Sequence, residues 1–259
     1  MNPQISPREA RRLAELAATS SKHGRYQPVP DFLKQVISVP ETNEKWRSPR
    51  LQLDLVRRYR PRWPDTVVEL GANLGYVSLS LAWESPETRF IAIEATPPHA
   101  EFIRTVSELF ELNISVVPEL LRPTEVINRY PEAALLDFNV AHHFGVDLEV
   151  EEIRTPDDWW KNLSSWIGPN ATALRFLQIG YNWGGNQQTP LHDSMDPYGF
   201  ARRLLEVLPE NASTYCIKSD KNALSYQVID IANLTSTIEA TYQEHSLVGE
   251  YFRRPIFVF

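Results

Sequence analysis

Short apolar runs alternate with helical patterns over most of the chain after residue 63. Apolar, mostly β-branched runs predict buried strands, and apolar residues spaced three and four apart between them predict helices. Strand and helix in regular alternation are typical of a parallel sheet covered by helices on both faces. The predicted strands are 65–70, 89–93, 113–117, 133–140, 171–179, 213–217 and 254–259, and 224–232 is also strand-like. The predicted helices between them are 76–82, 99–112, 123–130, 155–166, 197–208 and, less regular, 236–245. The pattern predicts a doubly wound α/β fold.

The first 62 residues have a different pattern, with helices and no strand. Ala10, Leu13, Leu16 and Ala17 fall on one face of an amphipathic helix over 3–19. Two further helices are predicted at 31–39, which ends before Pro40, and at 48–59. We therefore divide the chain into a helical extension, 1–62, and a core domain, 63–259. The extension is either a lid on a ligand site or a layer that completes the fold.

A glycine turn follows the first core strand. Glu69 and Leu70 end the strand, Gly71 and Gly75 bracket the turn, and a helix begins at Tyr76. Glycines let the backbone turn sharply and approach a ligand closely. Glu94 ends the second strand, nineteen residues after Gly75, where an acid is placed to accept hydrogen bonds from the ribose hydroxyls of an adenosine ligand.

The spacing of this turn narrows the choice of nucleotide. A dinucleotide site needs G-x-G-x-x-G, but residue 73 is asparagine, and the Gly-Lys-Ser/Thr of a phosphate-binding P-loop is absent. Glu69-x-Gly71-x-x-x-Gly75 resembles motif I of the class I S-adenosylmethionine (SAM)-dependent methyltransferases, and Glu94 resembles their second motif.

That resemblance implies a Rossmann-like, mostly parallel, seven-stranded sheet that binds SAM and releases S-adenosylhomocysteine (SAH). It implies that Glu69 acts near the methionine ammonium, that Glu94 holds the ribose, and that residues past the third strand line the adenine. The cofactor-binding residues it implies are Glu69, Gly71, Ala72, Asn73, Gly75, Glu94, Ala95, Glu119, Asn139 and Val140. The segment 71–79 also resembles the FkbM-type sugar and polyketide O-methyltransferases, although their later acidic strand motif is absent.

Two groups of histidines are candidates for the chemistry. Asn139-Val140-Ala141-His142-His143 resembles the N/S-x-x-H-H segment of many small-molecule methyltransferases. A histidine has a pKa close to neutrality, so His142 or His143 can take the proton of an acceptor hydroxyl, or the pair can serve only for packing. His192 is a second candidate base in the loop 180–196. His192, Asp193 and Asp196 with Asp137 could hold a metal, but their spacing specifies none, and we predict none.

The loop 180–196 is long, glycine-rich and aromatic, which is typical of binding loops. We expect Tyr181, Trp183, Asp193 and Tyr198 to contact the acceptor.

Composition restricts the partners. The net charge of −7, from 33 acidic and 26 basic residues, argues against a broad nucleic-acid surface. No apolar run reaches the roughly 18 residues of a membrane span, and the first residues lack the apolar part of a secretory signal. A single cysteine, Cys216, favours a reducing, cytoplasmic location. A homodimer is compatible with the sequence.

The sequence thus predicts a SAM-dependent O-methyltransferase that acts on a hydroxyl of a small molecule or glycan in a biosynthetic pathway. Two alternatives stay open: an RNA or protein methyltransferase, and an inactive SAM-binding partner subunit. The Asn/Asp-Pro-Pro-Tyr/Phe signature of base N-methylation is missing after the fourth strand, which argues against base methylation.

Overall fold

The computed structural model describes residues 5–18, 28–39, 49–146, 153–167, 174–220, 223–245 and 249–259. Residues 3, 4, 19 and 48 of the predicted N-terminal helices and residues 171–173 of the predicted fifth strand lie outside these ranges, as do 19–27 and 40–48 of the predicted extension. The chain divides into two compact units, residues 1–120 and 121–259.

The first unit contains a parallel three-stranded sheet. Its strands are β1 (Thr66–Leu70), β2 (Arg89–Ile93) and β3 (Ile114–Val117), in the order β3-β2-β1. The last four residues of β1 and of β2 are all buried, as expected for parallel strands covered on both faces. Because the strands are parallel, the residues that follow β1 and β2 meet at one edge of this sheet.

Four helices surround these strands: α1 (Pro7–Ala18), α2 (Pro49–Arg58), α3 (Tyr76–Glu84) and α4 (Pro97–Phe110). In α3 all seven residues from Tyr76 to Ala82 are buried. The predicted extension docks on this layer, since α1 packs on α4 and α2 packs on α3. Leu13 of α1 and Leu55 of α2 are the fully buried anchors of these contacts.

The helix predicted at 31–39 is wrong for most of its length. Only Asp31–Leu33 form a short 3₁₀ helix, and the chain continues through a turn at 34–36. Val36, Ile37 and Val39 are β-branched and disfavour a helix, and Pro40 leaves no room to extend one. Burial of Leu33 and Ile37 holds the segment without helical hydrogen bonds.

The second unit contains five strands in the order β4-β5-β8-β6-β7. They are β4 (Ala134–Phe138), β5 (Arg175–Gln178), β6 (Ser213–Asp220), β7 (Ala223–Val228) and β8 (Ile256–Val258). β4 and β5 are parallel, β8 is antiparallel to both β5 and β6, and β7 is antiparallel to β6. The helices of this unit are α5 (Pro123–Arg129), α6 (Pro156–Ile167), α7 (Pro197–Leu205) and α8 (Leu234–His245).

The described residues therefore form eight strands, where the sequence predicted a seven-stranded sheet. The additional strand is β7, from the segment that was only strand-like in sequence. Its one fully buried side chain is Tyr226, whereas Val228 is exposed, so β7 has little of the apolar pattern of a core strand. Among the described residues, no helix combines the length and the apolar content needed to cross a bilayer.

Candidate functional site

The glycine turn after β1 has the backbone conformation that its sequence requires. Gly71, Asn73 and Gly75 have φ values of +67°, +54° and +67°, which favour glycine or asparagine. A Cβ on Gly75 would also lie 3.0 Å from the side chains of Ile103 and Leu79. The amides of Gly71 and Ala72 both donate to the Ile93 carbonyl, at 2.9 and 3.0 Å, and so fix the turn to the end of β2.

Glu69 lies beneath this turn and is buried, with 4% of its surface exposed. Its Oε2 accepts a hydrogen bond from the Ser78 amide at 3.0 Å, in the first turn of α3. Gly75 is the N-cap residue of that helix and has no side chain to cap it. Glu69 therefore accepts the Ser78 N–H, which has no partner within the helix. Burial raises the pKa of Glu69 to about 7, against the opposing effect of the Ser78 hydrogen bonds. A cation placed nearby would favour the ionised form.

Glu94 directly follows β2 and is clamped between two turns. Its Oε2 accepts from the Asn73 amide and its Oε1 accepts from the Thr96 amide, both at 2.7 Å. Although burial opposes ionisation, the His99 ring, with Nδ1 3.8 Å from Oε1, and hydrogen bonds from Thr96 and Asn73 outweigh it and lower the pKa of Glu94. Glu94 is therefore a buried carboxylate that stays charged, and each oxygen keeps acceptor capacity for a ligand.

The first unit brings together most of the predicted cofactor residues. Glu69, the turn 71–75 and Glu94 form one cluster through the contacts above. Ala95 is exposed immediately after Glu94, and Glu119 is exposed shortly after β3. Asn139 and Val140 belong to the second unit.

The second unit contains the predicted His142–His143 turn, which follows β4. Asn139 begins it with a φ of +63°, an uncommon conformation for a residue with a side chain. The Asn139 amide donates to the Gln178 carbonyl at 2.7 Å, and its Nδ2 donates to Gln178 Oε1 at 2.8 Å. Arg254 Nη1 donates to Asn139 Oδ1 at 2.7 Å. These tertiary contacts hold the strained residue in place.

Arg254 and Glu250 were not among the residues predicted from sequence. Arg254 Nη2 donates to Glu250 Oε1 at 2.9 Å, and Asn182 Nδ2 donates to Glu250 Oε2 at 2.8 Å. The pair thus joins Asn139, at the start of the histidine turn, to Asn182 in the loop after β5. The only sequence signal was a charged segment just before the terminal strand.

His142 is 2% exposed and has a fixed hydrogen bond. The Gly180 amide donates to its Nδ1 at 3.2 Å, so the neutral ring carries its proton on Nε2. A Cβ on Gly180 would approach the His142 ring to 2.8 Å. His143 is half-buried, and the two ring centroids lie 4.2 Å apart. Of the two histidines, His143 is the more accessible to a ligand.

Trp159, Trp183 and Asp137 form hydrogen bonds with the backbone of the His142–His143 turn. Trp159 Nε1 donates to the Ala141 carbonyl at 2.8 Å, and Trp183 Nε1 donates to the Phe144 carbonyl at 2.7 Å. Asp137 is buried at the end of β4, where burial raises its pKa to about 7 despite hydrogen bonds from the amides of Ala141 and Val140. The backbone of the histidine turn is therefore held from several directions.

The loop 180–196 divides into a buried and an exposed part. Tyr181 is 0% exposed and its hydroxyl donates to the Arg253 carbonyl at 2.7 Å, while Trp183 is buried on Phe144, so both side chains belong to the core in this arrangement. Asp193 and Tyr198 are exposed. His192 Nε2 lies 3.2 Å from Oδ2 of Asp196, whose Oδ1 accepts from the Gly199 amide and caps α7. His192, Asp193 and Tyr198 are accessible to a ligand.

Among the described residues, no group of three or more histidine, cysteine, aspartate or glutamate side chains is arranged to hold a metal ion.

No protein-family model matches the chain, and no curated protein matches it. Its structure is similar to that of the bifunctional kinase–methyltransferase WbdD, with a TM-score of 0.53 and 16% identity, over 95% of this chain and 45% of that chain. It is also similar to EvdMO1, with a TM-score of 0.50 and 17% identity, over 90% of this chain and 49% of that chain. The N-terminal domain of EvdMO1 with SAH bound gives a TM-score of 0.51 and 13% identity, over 86% of this chain and 96% of that domain.

At these identities the similarity concerns the fold. The chain has the Rossmann-like α/β fold of the class I SAM-dependent methyltransferases, as predicted, and it spans about half the length of the WbdD and EvdMO1 chains. The EvdMO1 domain of similar fold is solved with SAH bound. The predicted fold is confirmed.

Proposed function

We propose that the protein is a SAM-dependent methyltransferase that transfers the methyl group to a hydroxyl of a small molecule or glycan. The observation that carries this proposal is the Glu94 carboxylate. It is buried and charged at the end of β2, and it is hydrogen-bonded to the glycine turn through Asn73. A carboxylate in this position can accept hydrogen bonds from two adjacent ribose hydroxyls.

The residues of the first unit fit SAM in charge as well as in position. Glu69 has a raised pKa because it is buried, and a cationic ligand near it would compensate that burial. In this proposal Glu69 faces the methionine ammonium, the backbone of residues 71–75 lies under the methionine part, and Ala95 and Glu119 lie near the adenine. Asn139 and Val140, in the second unit, stay proposed cofactor residues on the sequence resemblance.

The proposed chemistry needs alignment and a base. SAM, when bound, supplies a methyl group on a positively charged sulfonium. A hydroxyl acceptor must lose its proton as it attacks, and a nearby imidazole can take it. We assign this role to His143, because His142 already accepts the Gly180 N–H on Nδ1 and carries its proton on Nε2. His142 instead joins the turns after β4 and β5.

His192 is the second candidate base, supported by its contact with Asp196. A carboxylate beside an imidazole orients the ring and stabilises its protonated form. His192 lies in the same loop as Asp193, and Tyr198 follows in the first turn of α7; we propose Asp193 and Tyr198 as acceptor contacts. Tyr181 and Trp183 support the loop from within.

A hydroxyl of a glycan or small molecule is the acceptor class that the similarities favour. The N-terminal domain of EvdMO1 is solved in the presence of SAH and D-fucose, with a TM-score of 0.50. For the present chain the support is indirect and comes from the histidines and the polar exposed part of the loop 180–196. The net charge of −7 disfavours a nucleic-acid acceptor.

We propose a lid role for the extension, residues 1–62. Its helices α1 and α2 pack on α4 and α3, the two helices that begin at the Glu94 turn and at the glycine turn. The extension is thereby attached to the helices that begin at the proposed cofactor residues of the first unit.

The test is methyl transfer from isotopically labelled SAM to a panel of monosaccharides, nucleotide sugars and small phenols or polyols, with a capped RNA and a histone peptide as other acceptor classes. The proposal predicts labelled product only with a hydroxyl acceptor and a large loss in the Glu94→Gln variant. Label in RNA or peptide alone would contradict the acceptor class, and binding of SAH without transfer to any class would favour an inactive subunit.

A further inference from the structure

His99 is a fully buried histidine next to the acid that we assign to the ribose. It is the third residue of α4, its side chain is 0% exposed, and its Nδ1 lies 3.8 Å from Glu94 Oε1. Side chains of a helix tilt toward its N-terminus, which here is the end nearest Glu94. A titratable ring in this place needs an explanation, because burying polar groups is costly.

The buried carboxylates of the chain show what is special about Glu94. Burial raises the pKa of Glu69 and of Asp137 to about 7. Glu94 is buried too, but its pKa is lowered, because the nearby His99 ring and the hydrogen bonds from Thr96 and Asn73 outweigh its burial. Thr96 and Asn73 donate to Glu94 through their backbone amides, and the side chains of His99 and Thr96 also lower its pKa.

The contacts also fix the direction of the carboxylate. The Asn73 amide holds Oε2 and the Thr96 amide holds Oε1, each at 2.7 Å, and the His99 ring closes the Oε1 side. A diol needs two adjacent acceptor oxygens with lone pairs left over, and each carboxylate oxygen has one beyond its amide bond. Rotation of the carboxylate would move both oxygens off these positions.

We propose that His99 is a positioning residue that keeps the Glu94 carboxylate turned toward the two ribose hydroxyls of SAM or SAH. With its proton on Nδ1, the ring presents a positive N–H edge to Oε1. His99 acts on the ligand only by holding Glu94 in place. Its effect on binding therefore depends on the ribose hydroxyls. The inference rests on the proposed cofactor site.

Two substitutions separate the polar edge of the ring from its volume. His99→Phe keeps a planar ring of similar size and removes the N–H. His99→Asn is smaller, but its amide nitrogen takes the position of Nδ1. The ligands are SAH and its 2′,3′-dideoxy analogue, which lacks the ribose hydroxyls, and their affinities are measured by calorimetry with thermal unfolding as the control for folding.

We expect His99→Phe to weaken SAH binding about tenfold, the typical effect of losing an interaction with a charged group, and His99→Asn to stay within about threefold of wild type. Neither change should alter the affinity for the dideoxy analogue relative to wild type. If His99→Phe does not fold, His99→Gln replaces it, because its amide lies beyond the Nδ1 position and should not restore binding as His99→Asn does.

The positioning role is overturned if a folded His99→Phe protein binds SAH like wild type. It is also overturned if the variant loses the same factor for SAH and for the dideoxy analogue, since that pattern indicates only a packing role. A wild-type protein that does not bind SAH overturns the cofactor site itself, and with it this inference, so the two failures are distinguishable.

Discussion

The backbone N–H of Gly180 donates a hydrogen bond to Nδ1 of His142, and this contact determines where the proton of His142 resides. The acceptor nitrogen lies 3.2 Å from the amide in a buried setting. A neutral imidazole has one N–H and one acceptor nitrogen. Because Nδ1 is the acceptor, the proton is on Nε2. His142 is thus a connection between the turns after β4 and β5, and His143 is the proposed base of that pair.

This assignment predicts a fixed tautomer for His142 in NMR. In long-range ¹H–¹⁵N correlation spectra the neutral His142 ring should appear as the Nε2–H tautomer, because its Nδ1 accepts the Gly180 N–H. A neutral His142 ring with its proton on Nδ1 would contradict the assignment.

Activity on the acceptor should follow the same division. His143→Gln removes the base and should lower kcat about 100-fold or more with SAH affinity unchanged. His142→Asn is the matched control, since its Oδ1 can accept the Gly180 N–H in place of Nδ1, and it should keep most of the activity. If His143→Gln retains full activity and His192→Gln does not, the base is His192.

Glu69 predicts a pH dependence of stability with a defined sign. Its pKa is raised from 4.5 to about 7 in the folded protein, so between these values the folded state binds a proton that the unfolded state has lost. The free energy of unfolding should therefore decrease as the pH rises from 4.5 to 7 and level off above 7. A shift of this size corresponds to about 3 kcal/mol.

Urea unfolding of wild type and Glu69→Gln between pH 4.5 and 8 measures this contribution. The variant should lose part of the slope, and the remainder should come from Asp137, which shifts in the same direction. Glu94→Gln is the control that should leave this slope nearly unchanged, because a lowered pKa adds stability that is lost only as the pH falls below the unfolded value of 4.5. Identical slopes for wild type and Glu69→Gln would refute the buried state of Glu69.

The Arg254–Glu250 pair should matter for stability more than an exposed ion pair. Arg254→Met removes the hydrogen-bond donor of Glu250 Oε1 and of Asn139 Oδ1. The place is mostly buried, because the side chains of Arg254 and Glu250 are only 16% and 26% exposed. We expect a loss of about 3 kcal/mol in the free energy of unfolding. Arg12→Met is the matched control, because Arg12 is 60% exposed in its pair with Glu101 and should change stability by less than about 1 kcal/mol. Equal effects of the two substitutions would refute a special role for Arg254.

Gly180→Ala tests the close approach behind the His142 contact. An added Cβ would lie 2.8 Å from the His142 ring, so the ring or the turn must shift. We expect about 1–3 kcal/mol of destabilisation and a loss of the fixed His142 tautomer in NMR. An alanine variant as stable as wild type, with the His142 signals unchanged, would show that the contact is looser than described.

The cluster of candidate cofactor residues in the first unit was predictable from sequence because its residues are close along the chain. Glu69, the glycines and Glu94 lie within one strand–turn–helix–strand unit, where the fold fixes the spacing. Asn139 and Arg254 are 115 residues apart, and their contact has no signature in local periodicity. His99 was missed for a different reason, since a histidine near a helix start looks like any polar residue until its burial is known.

The loop 180–196 shows where composition was a poor guide. Aromatic residues in a glycine-rich loop suggested acceptor contacts, but Tyr181 and Trp183 each donate a hydrogen bond to a backbone carbonyl and bury their rings. Tyrosine and tryptophan serve this purpose well because they combine a large apolar surface with one donor. The number of strands also differed from the prediction, because β7 has only one buried side chain and little core pattern.

The central claim is that the glycine turn, Glu69 and Glu94 bind SAM. The most direct measurement is calorimetric titration of the purified protein with SAH, with NAD as the control nucleotide and Glu94→Ala as the control variant. The account predicts micromolar binding of SAH, no binding of NAD, and a large loss of SAH affinity in Glu94→Ala. Absence of SAH binding, or SAH binding that is unchanged in Glu94→Ala, would contradict it.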